Sequence, residues 1–576
     1  MRNSRLQFLT IVIFILGLLL IGRLFELQVI KFKFYNQRAE MGRKVNRILI
    51  AERGRIKDRN GYLLATNVKS YLLYAVPANI KNPKETALAI SRLLNISNHT
   101  SAKASADEQE SEEFKNLVEK LSYRADFYEV LKKDLSEEEA KEIEELNLTG
   151  IKVESSLKRY YPEGRIFSHV LGFVGIKNDQ PIGQYGLEEF LESDLAGQPG
   201  LLRAEQTPSG ILILDSEKIV KKPKNGADVV LTLDRFIQYY TCQALEEGIK
   251  EVEGESGTAI FMEPQTGKIL SLCNWPNFDP NNYQKTKNYR QFFNSAVSES
   301  FEPGSVFKVI TLAAALDSGN VKPETTYQDT GEVKIGGYTI KNSDLKAHGL
   351  KTMTNVLEKS INTGTVFAAR KTGLKTFRSY VKNFGFNSLT NIEQAGEAMG
   401  DISNLEKSSE IYLATASFGQ GISVTPIQIL TAIAAIANQG KLLKPYLVDK
   451  IIYSDGTILQ NQPKFIRQVI SPATAVTLSA MMVSVLENGY GKLARVPGYW
   501  IAGKTGTAQV ANPSGGYSEK IIHSFVGFGP NDNPVFVGLV KINNPKKGRF
   551  AESTAAPIFG KIAAYILRYY NIKPNR

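Results

Sequence analysis

The sequence predicts a mixed α/β fold in which one sheet, assembled from distant parts of the chain, is covered by helices. Three observations carry this reading. Beyond about residue 229, strand-like segments come first as "GTAIFMEP" and "GKILSLCNW", joined by a Gln-Thr-Gly turn, and last as "GYWIAGKTGTAQV", "HSFVGFGP" and "VFVGLVKI". Between the two groups, residues 303–438 read as mostly helical. Strands separated by such an insertion can join one sheet whose apolar faces the helices bury. The third observation is a change of texture: "KKPKNGADVVLTLD", a basic polar linker running into a strand, parts this region from a mixed region before it.

Taken in order, the chain of 576 residues is long enough for several domains. Residues 6–22, "LQFLTIVIFILGLLLIG", carry no charge between Arg5 and Arg23, and Leu24, Phe25, Leu27 and Val29 extend the apolar face. No small-residue cleavage site follows, so the run reads as an uncleaved membrane anchor rather than a signal peptide. The flank after it (Arg23, Lys31, Lys33, Arg38, Arg43, Lys44) is more basic than Arg2 and Arg5. By the positive-inside rule that bias opposes an external C-terminal region, so chemistry has to decide the orientation. Asn60-Gly61 in "AERGRIKDRNGYLLATN" is a hairpin signal. Residues 96–113 are polar and rich in small side chains, as a loop or mobile excursion would be. Residues 113–121 and 136–146 carry helical charge patterns, residues 235–250 read as a helix, and "TAAPIFGKIAAYILRYY" closes the chain as an apolar helix.

Composition excludes several classes. The net charge is +12, but Lys and Arg are scattered and no nucleic-acid motif is present, so anionic lipid or wall polymer suits the charge better. Two cysteines, Cys242 and Cys273, without a CxxC pair exclude a disulfide framework and a thiolate metal site. The four histidines (His99, His169, His348, His523) lack metal-ligand spacing and read as surface or packing residues. No metal and no cofactor is expected.

The chemistry starts at "FEPGSVFKVITLAAALDSG", residues 301–319, an apolar helix with Lys308 in its middle. Burial disfavours a charged amine, so this lysine either snorkels out or serves as a proton acceptor. Ser305 lies one turn earlier, on the same helical face. A serine needs a base to become a nucleophile, and a desolvated lysine one turn away is a candidate. Two more motifs follow: Ser360 and Asn362 in "LEKSINTGTVFAAR", and Lys504, Thr505, Gly506 and Thr507 in "AGKTGTAQV". The set S-x-x-K, S-x-N and K-T-G is the signature of penicillin-interacting serine acyltransferases. Residues 498–505 also fit the phosphate-loop pattern G-x-x-x-x-G-K-[ST]. That motif requires a helix opening at the Lys-Thr pair, and "GTAQVANPSGG" does not open one.

With these residues in hand, the chain resembles the class B penicillin-binding proteins, monofunctional peptidoglycan D,D-transpeptidases. "RGRIKDRNGYLLATN", "RYYPEGRIFSHVLGFVG" and "GQYGLEEFLESDLAGQPG" are similar to the family's pedestal motifs. "FEPGSVFK", "SINTG", "SFGQGISVTPIQILTAIAAIANQG", "AGKTGTAQV" and "HSFVGFGP" are similar to its transpeptidase domain. Asn362 and the threonine of "GKTGT" are more similar to division-type than to elongation-type members. The resemblance implies a mainly antiparallel sheet covered by helices, behind an elongated mixed α/β pedestal and one membrane helix. It also implies a cytoplasmic tail at 1–5, an anchor at 6–29, the pedestal (dimerisation-type) at 30–225 and the transpeptidase domain at 226–576.

The same resemblance implies roles. Ser305 attacks the penultimate D-Ala carbonyl of a stem peptide ending in D-Ala-D-Ala, and Lys308 takes its proton. Ser360 relays a proton to the leaving amine, Asn362 holds the donor amide, and Lys504 with Thr505 binds the terminal carboxylate. The backbone N–H groups of Ser305 and Thr507 form the oxyanion hole, and Gly506 keeps the strand slim enough for a peptide to lie against it. A neighbouring amine then resolves the ester into a cross-link, and β-lactams trap Ser305. The expected place is the bacterial cytoplasmic membrane, single-pass, with the catalytic domain outside. The expected partners are a SEDS-type glycan polymerase and other division or elongation membrane proteins. The alternatives are an elongation-type transpeptidase, a D,D-carboxypeptidase, a non-catalytic division scaffold and a β-lactam-sensing receptor, whose several membrane spans the sequence lacks.

Overall fold

An uncharged apolar run can hide its backbone polar groups only in a helix, and the first element obeys that rule. The computed structural model describes residues 2–36, 44–96, 111–126, 128–178, 180–206, 212–512 and 515–576. Helix Arg2–Phe25 passes directly into a π-helical turn, Glu26–Ile30. Leu6–Ile30 is the one helical stretch among the described residues long and apolar enough to cross a membrane. At 1.5 Å per residue it spans ~37 Å, against a hydrocarbon core of ~30 Å. The polar excursion expected at 96–113 falls largely on residues 97–110, outside the described ones.

Contacts divide the chain into two compact units, Met1–Arg53 with Ala196–Gly226, and Gly54–Leu195 with Ala227–Arg576. The first holds the apolar helix and an antiparallel sheet of Lys44–Leu49, Gly200–Gln206 and Leu212–Lys221. This division runs differently from the expected boundaries at 30–225 and 226–576, for a topological reason. Strand Asp228–Leu231, where the basic linker ends, pairs in parallel with Ile56–Lys57 and antiparallel with Val448–Ile452. The linker is thereby woven into a seven-stranded sheet with segments from far on both sides of it.

The Asn60-Gly61 signal is realised as an antiparallel pairing of Ile56–Lys57 with Leu63–Ala75, with Gly61 at φ +90°. The buried Asp58 carboxylate accepts hydrogen bonds from the N–H groups of Asn60, Tyr62 and Arg235, which ties this turn to the start of the distant helix Arg235–Glu251. Helices Glu112–Ser122 and Glu137–Glu145 form where the charge pattern placed them. The second is capped reciprocally by Ser136 and Glu139.

The central sheet has five antiparallel strands: β1 (Ser256–Met262), β2 (Ile269–Trp275), β3 (Ala502–Ala511), β4 (Tyr517–Gly529) and β5 (Phe536–Asn543), in the order β2-β1-β5-β4-β3. Helix α1 (Arg235–Glu251) and the C-terminal helix Ala555–Tyr569 pack on it, as do Pro426–Ala437 and Pro472–Asn488. Cys242 on α1 and Cys273 on β2 form a disulfide across that packing, their Cα atoms 5.3 Å apart. Two cysteines are too few for a framework, and their 31-residue separation gave no sign of the pairing. It exists because α1 lies along β2.

The stretch expected to be mostly helical contains helices α2 (Lys308–Asp317) and α3 (Asn362–Thr372), and also four short strands between residues 326 and 352. "GEVKIGGYTIK" alternates too briefly, around Gly336 and Gly337, to stand out from a helical neighbourhood. The phosphate-loop pattern is refuted by backbone: Lys504 and Thr505 sit within strand β3.

Candidate active site

Glu302-Pro303-Gly304 begins a helix, as its residue types require. A 3-10 turn, Gly304–Phe307, carries Ser305 and leads straight into α2. Gly304 has φ +56° and lies against β3, where a Cβ would come within 2.8 Å of the Thr507 carbonyl oxygen. Its N–H donates to the Gly419 carbonyl oxygen at 3.0 Å. The Ser305 turn is thus wedged between β3 and the 419–421 loop, and its first N–H groups, Ser305's among them, have no intrahelical acceptor.

Lys308 is fully buried, as is Lys504 on β3. The Lys308 Nζ donates to the Ser360 carbonyl oxygen at 2.5 Å, to Asn362 Oδ1 at 2.7 Å and to Ser360 Oγ at 3.3 Å. The Lys504 Nζ donates to the same Ser360 Oγ at 2.9 Å, and to the carbonyl and hydroxyl oxygens of Thr505 at 3.0 and 3.3 Å. Ser360 therefore stands between two amines, held there in the left-handed region at φ +53°, a conformation found at functional sites. Burial, and the charge of Lys504 beside it, hold the Lys308 amine well below the usual lysine range, with Asp344 opposing the shift. Burial alone pushes Lys504 down to about 7. Among the described residues neither amine has a carboxylate partner, so a proton on either is costly to keep.

A cleft of about 550 Å³ opens in front of this pair. Ser305, Ser360, Asn362, Thr505 and Thr507 line it, while both lysines lie behind its wall. The three motifs, separated by up to 202 residues from Ser305 to Thr507, meet here. Two expectations change in detail. The Lys308 amine is bound to Ser360 and Asn362, and its hydrogen bonds do not include the Ser305 hydroxyl one turn away; such contacts often tighten only with ligand present. Gly506 faces inward: a Cβ there would meet Ser524 Oγ at 2.4 Å and Val306 Cγ1 at 2.8 Å. Its slimness lets β3 approach the Ser305 turn.

Asn362 is also a scaffold. Its Oδ1 holds Lys308, and its Nδ2 donates to the Lys341 carbonyl oxygen at 2.8 Å, which ties α3 to strand Tyr338–Lys341. No local pattern pointed to Asp344, Tyr490 or Glu552 on the cleft wall, because they come from separate loops. His523, read as a packing residue, is fully buried opposite Thr507 in the β3–β4 register. Its Nδ1 lies 2.9 Å from Thr554 Oγ1, which fixes the segment that brings Ala551 and Glu552 to the cleft, and burial lowers its pKa to about 4. No group of three potential metal ligands occurs among the described residues.

Comparison with known proteins identifies both parts of the chain. Residues 257–564 match the penicillin binding protein transpeptidase domain, and residues 48–231 match the penicillin-binding protein dimerisation domain. Stage V sporulation protein D of Bacillus subtilis is 36% identical over 530 residues, covering 91% of this chain and 79% of the relative. The probable peptidoglycan D,D-transpeptidase PbpC of Pseudomonas aeruginosa is 31% identical over 583 residues, covering 100% and 96%. Among solved structures, penicillin-binding protein 3 of Mycobacterium tuberculosis complexed with aztreonam matches with a TM-score of 0.70 at 26% identity, over 92% of this chain and 98% of that one. Penicillin-binding protein 2X of Streptococcus thermophilus shares the fold, with a TM-score of 0.74 at 24% identity over 92% and 80%.

Proposed function

The chain belongs to the class B penicillin-binding proteins, which join a transpeptidase domain to a dimerisation domain, and from that premise we propose that it cross-links peptidoglycan with Ser305 as its nucleophile. The observation that carries the assignment is the pair of buried amines, Lys308 and Lys504, sharing the Ser360 hydroxyl behind a cleft that Ser305 lines.

Lys308, whose charged form burial disfavours, accepts the Ser305 proton as the oxygen attacks the penultimate D-Ala carbonyl. The resulting oxyanion is met by the N–H groups of Ser305 and Thr507, and one such donor is worth ~10²-fold or more in rate. Ser360 passes a proton to the departing D-Ala amine, since its hydroxyl bridges the amine that gained one and the amine beside the leaving group. Lys504 and Thr505 hold the terminal carboxylate, whose charge restores to Lys504 the proton that burial disfavours. Asn362 keeps Lys308 aimed, and one Nδ2 hydrogen remains for the donor amide. An amine of a second stem peptide then attacks the ester, the same proton path runs in reverse, and Ser305 is freed.

Septal wall synthesis is the proposed setting, supported by division-type relatives such as an FtsI homolog of Mesostigma viride, 30% identical over 99% of this chain. The name of the Bacillus relative favours wall synthesis in sporulation as a second reading. Localisation of a fluorescent fusion separates the two. A catalytic domain outside a bacterial cytoplasmic membrane is the proposed orientation, supported by the substrate's location, by Leu6–Ile30 as an anchor and by a disulfide suited to an oxidising compartment. An intracellular reporter fused after Arg576 would refute that orientation against the charge bias. A SEDS-type polymerase is the proposed partner, tested by co-purification from detergent.

The deciding experiment is fluorescent-penicillin labelling of the full chain beside Ser305→Ala. A covalent band lost in the variant establishes the acyl-enzyme, and the product formed with an added acceptor amine, a new amide or a free carboxylic acid, separates transpeptidation from hydrolysis. No band in folded protein moves the assignment to a non-catalytic scaffold.

A further inference from the structure

The two oxyanion donors sit on different elements, Ser305 on the nucleophile turn and Thr507 on β3, so something must hold the elements in register. The sheet does so only in part. β4 pairs with β5 as far as Ile522 opposite Asn543, whereas β3 and β4 stay paired out to Ala511 opposite Tyr517. The β3–β4 hairpin therefore runs past the sheet as a two-stranded arm, carrying the cleft residue Gln509. Lys520 ties one side of the arm to the Glu255 carboxylate at 3.0 and 3.1 Å. On the other side the Tyr517 hydroxyl donates to Glu302 Oε2 at 3.1 Å.

Glu302 has a second task. Its Oε1 accepts the Gly421 N–H at 3.0 Å, in the loop whose Gly419 carbonyl oxygen accepts the Gly304 N–H. That contact is close: at Gly419, with φ +79°, a Cβ would stand 2.2 Å from the Gly304 carbonyl oxygen. Only Pro303 and Gly304 separate Glu302 from Ser305, so one carboxylate joins the hairpin arm, the 419–421 loop and the nucleophile turn. Burial raises its pKa while both hydrogen bonds favour the charged form.

We propose that Glu302 is a positioning residue whose carboxylate latches the β3–β4 arm and the 419–421 loop onto the nucleophile turn, and so sets the spacing of the Ser305 and Thr507 N–H groups. The proposal rests on the reading that those two groups form the oxyanion hole. A latch of this kind acts on the step in which charge develops on the carbonyl oxygen, and leaves the preceding non-covalent binding nearly unchanged. A merely structural contact would lower stability without separating the two.

The test is acylation of the detergent-solubilised full chain by fluorescent penicillin over a range of concentrations, which resolves the non-covalent constant from the acylation rate. Glu302→Ala is expected to slow acylation about 10-fold, less than the ~10²-fold of losing a donor outright, with the non-covalent constant unchanged. Tyr517→Phe, which keeps the backbone pairing of the hairpin, is expected to slow it by a smaller factor. Because the two side chains act through one contact, the double variant should be no slower than Glu302→Ala, a coupling that independent sites would not show. Glu302→Gln, which keeps an acceptor for Gly421, should recover most of the rate. Wild-type acylation rates in Glu302→Ala, or losses that multiply in the double variant, overturn the latch while leaving the acyl-enzyme assignment standing. If Glu302→Ala fails to fold, Tyr517→Phe decides, an unchanged rate overturning the proposal and a slowed one supporting it. An unlabelled wild type, by contrast, overturns the catalytic reading itself.

Discussion

Gly506→Ala asks whether the packing of β3 on the nucleophile turn sets the reaction rate. The added methyl would stand 2.4 Å from Ser524 Oγ, 2.8 Å from Val306 Cγ1 and 3.2 Å from the Pro303 carbonyl oxygen. Comfortable contacts between carbon atoms lie at about 3.5–4.0 Å, so relief of roughly 1 Å is needed. Ser524 lies on β4, while Val306 and Pro303 belong to or adjoin the turn, so β3 cannot move away from both. The strand must separate from the turn, and Thr507 goes with it. Overpacking of this kind costs ~1–3 kcal/mol of stability, and a misplacement of about 1 Å at reacting groups costs ~10²-fold in rate. The expected result is a lowered unfolding midpoint and acylation by fluorescent penicillin slowed by about two orders of magnitude, with non-covalent binding little changed. Adding Ser524→Ala removes the nearest clash and should recover part of both losses. Folded Gly506→Ala acylating at the wild-type rate would show that Thr507 is positioned by something other than this packing.

Four further outcomes follow from the same structure. Lys308→Met should lower acylation by ~10²–10⁴-fold, as loss of a general base does, and wild-type acylation should fall as pH drops through the depressed Lys308 pKa. Lys504→Met should abolish efficient acylation yet raise the unfolding midpoint. The wild-type amine titrates near 7 folded and near 10.5 unfolded, so its penalty is full below pH 7, and the variant's advantage shrinks as pH rises between those values. His523, at about 4 folded against 6.5 unfolded, withholds a proton that the unfolded chain binds; stability should fall as pH drops through that window, and His523→Gln should flatten the slope in thermal unfolding. Removing the Cys242–Cys273 disulfide, which closes a loop of separation 31, should cost ~3–4 kcal/mol in an unfolding titration and leave acylation at 25 °C unchanged, since neither residue lines the cleft.

What the sequence disclosed depended on whether a signal was local. Ser305 and Lys308 are bound by helical spacing, Asn60-Gly61 by turn chemistry, and the membrane anchor by the uncharged apolar run of residues 6–22, so each could be read before any fold was known. Strand-like ends around a helical middle were enough to foresee one sheet from distant segments. The short strands between residues 326 and 352 escaped because four residues of alternation fall below what periodicity can resolve. The disulfide, the Tyr517–Glu302 contact and the cleft wall at Asp344, Tyr490 and Glu552 escaped for another reason. Each joins residues far apart in the chain, and no spacing rule reaches across them.

The placement of the two lysines shows why the chain tolerates so unfavourable an arrangement. Desolvated amines with no carboxylate partner lower stability, and their like charges make two protons at once worse still. A carboxylate beside Lys308 would remove the penalty and, with it, the neutral amine a serine needs. The fold instead supplies neutral acceptors to both: the Ser360 carbonyl oxygen and Asn362 to Lys308, Thr505 to Lys504, and the Ser360 hydroxyl to each. Such acceptors satisfy N–H donors without fixing the charge, which suits the proton path Lys308–Ser360–Lys504 of the proposed function. On the proposed function, the pair stays unneutralised until a substrate's own carboxylate reaches Lys504. On this account binding energy is released at the moment the site fills, and a ligand lacking the carboxylate should lose acylation rate as well as affinity.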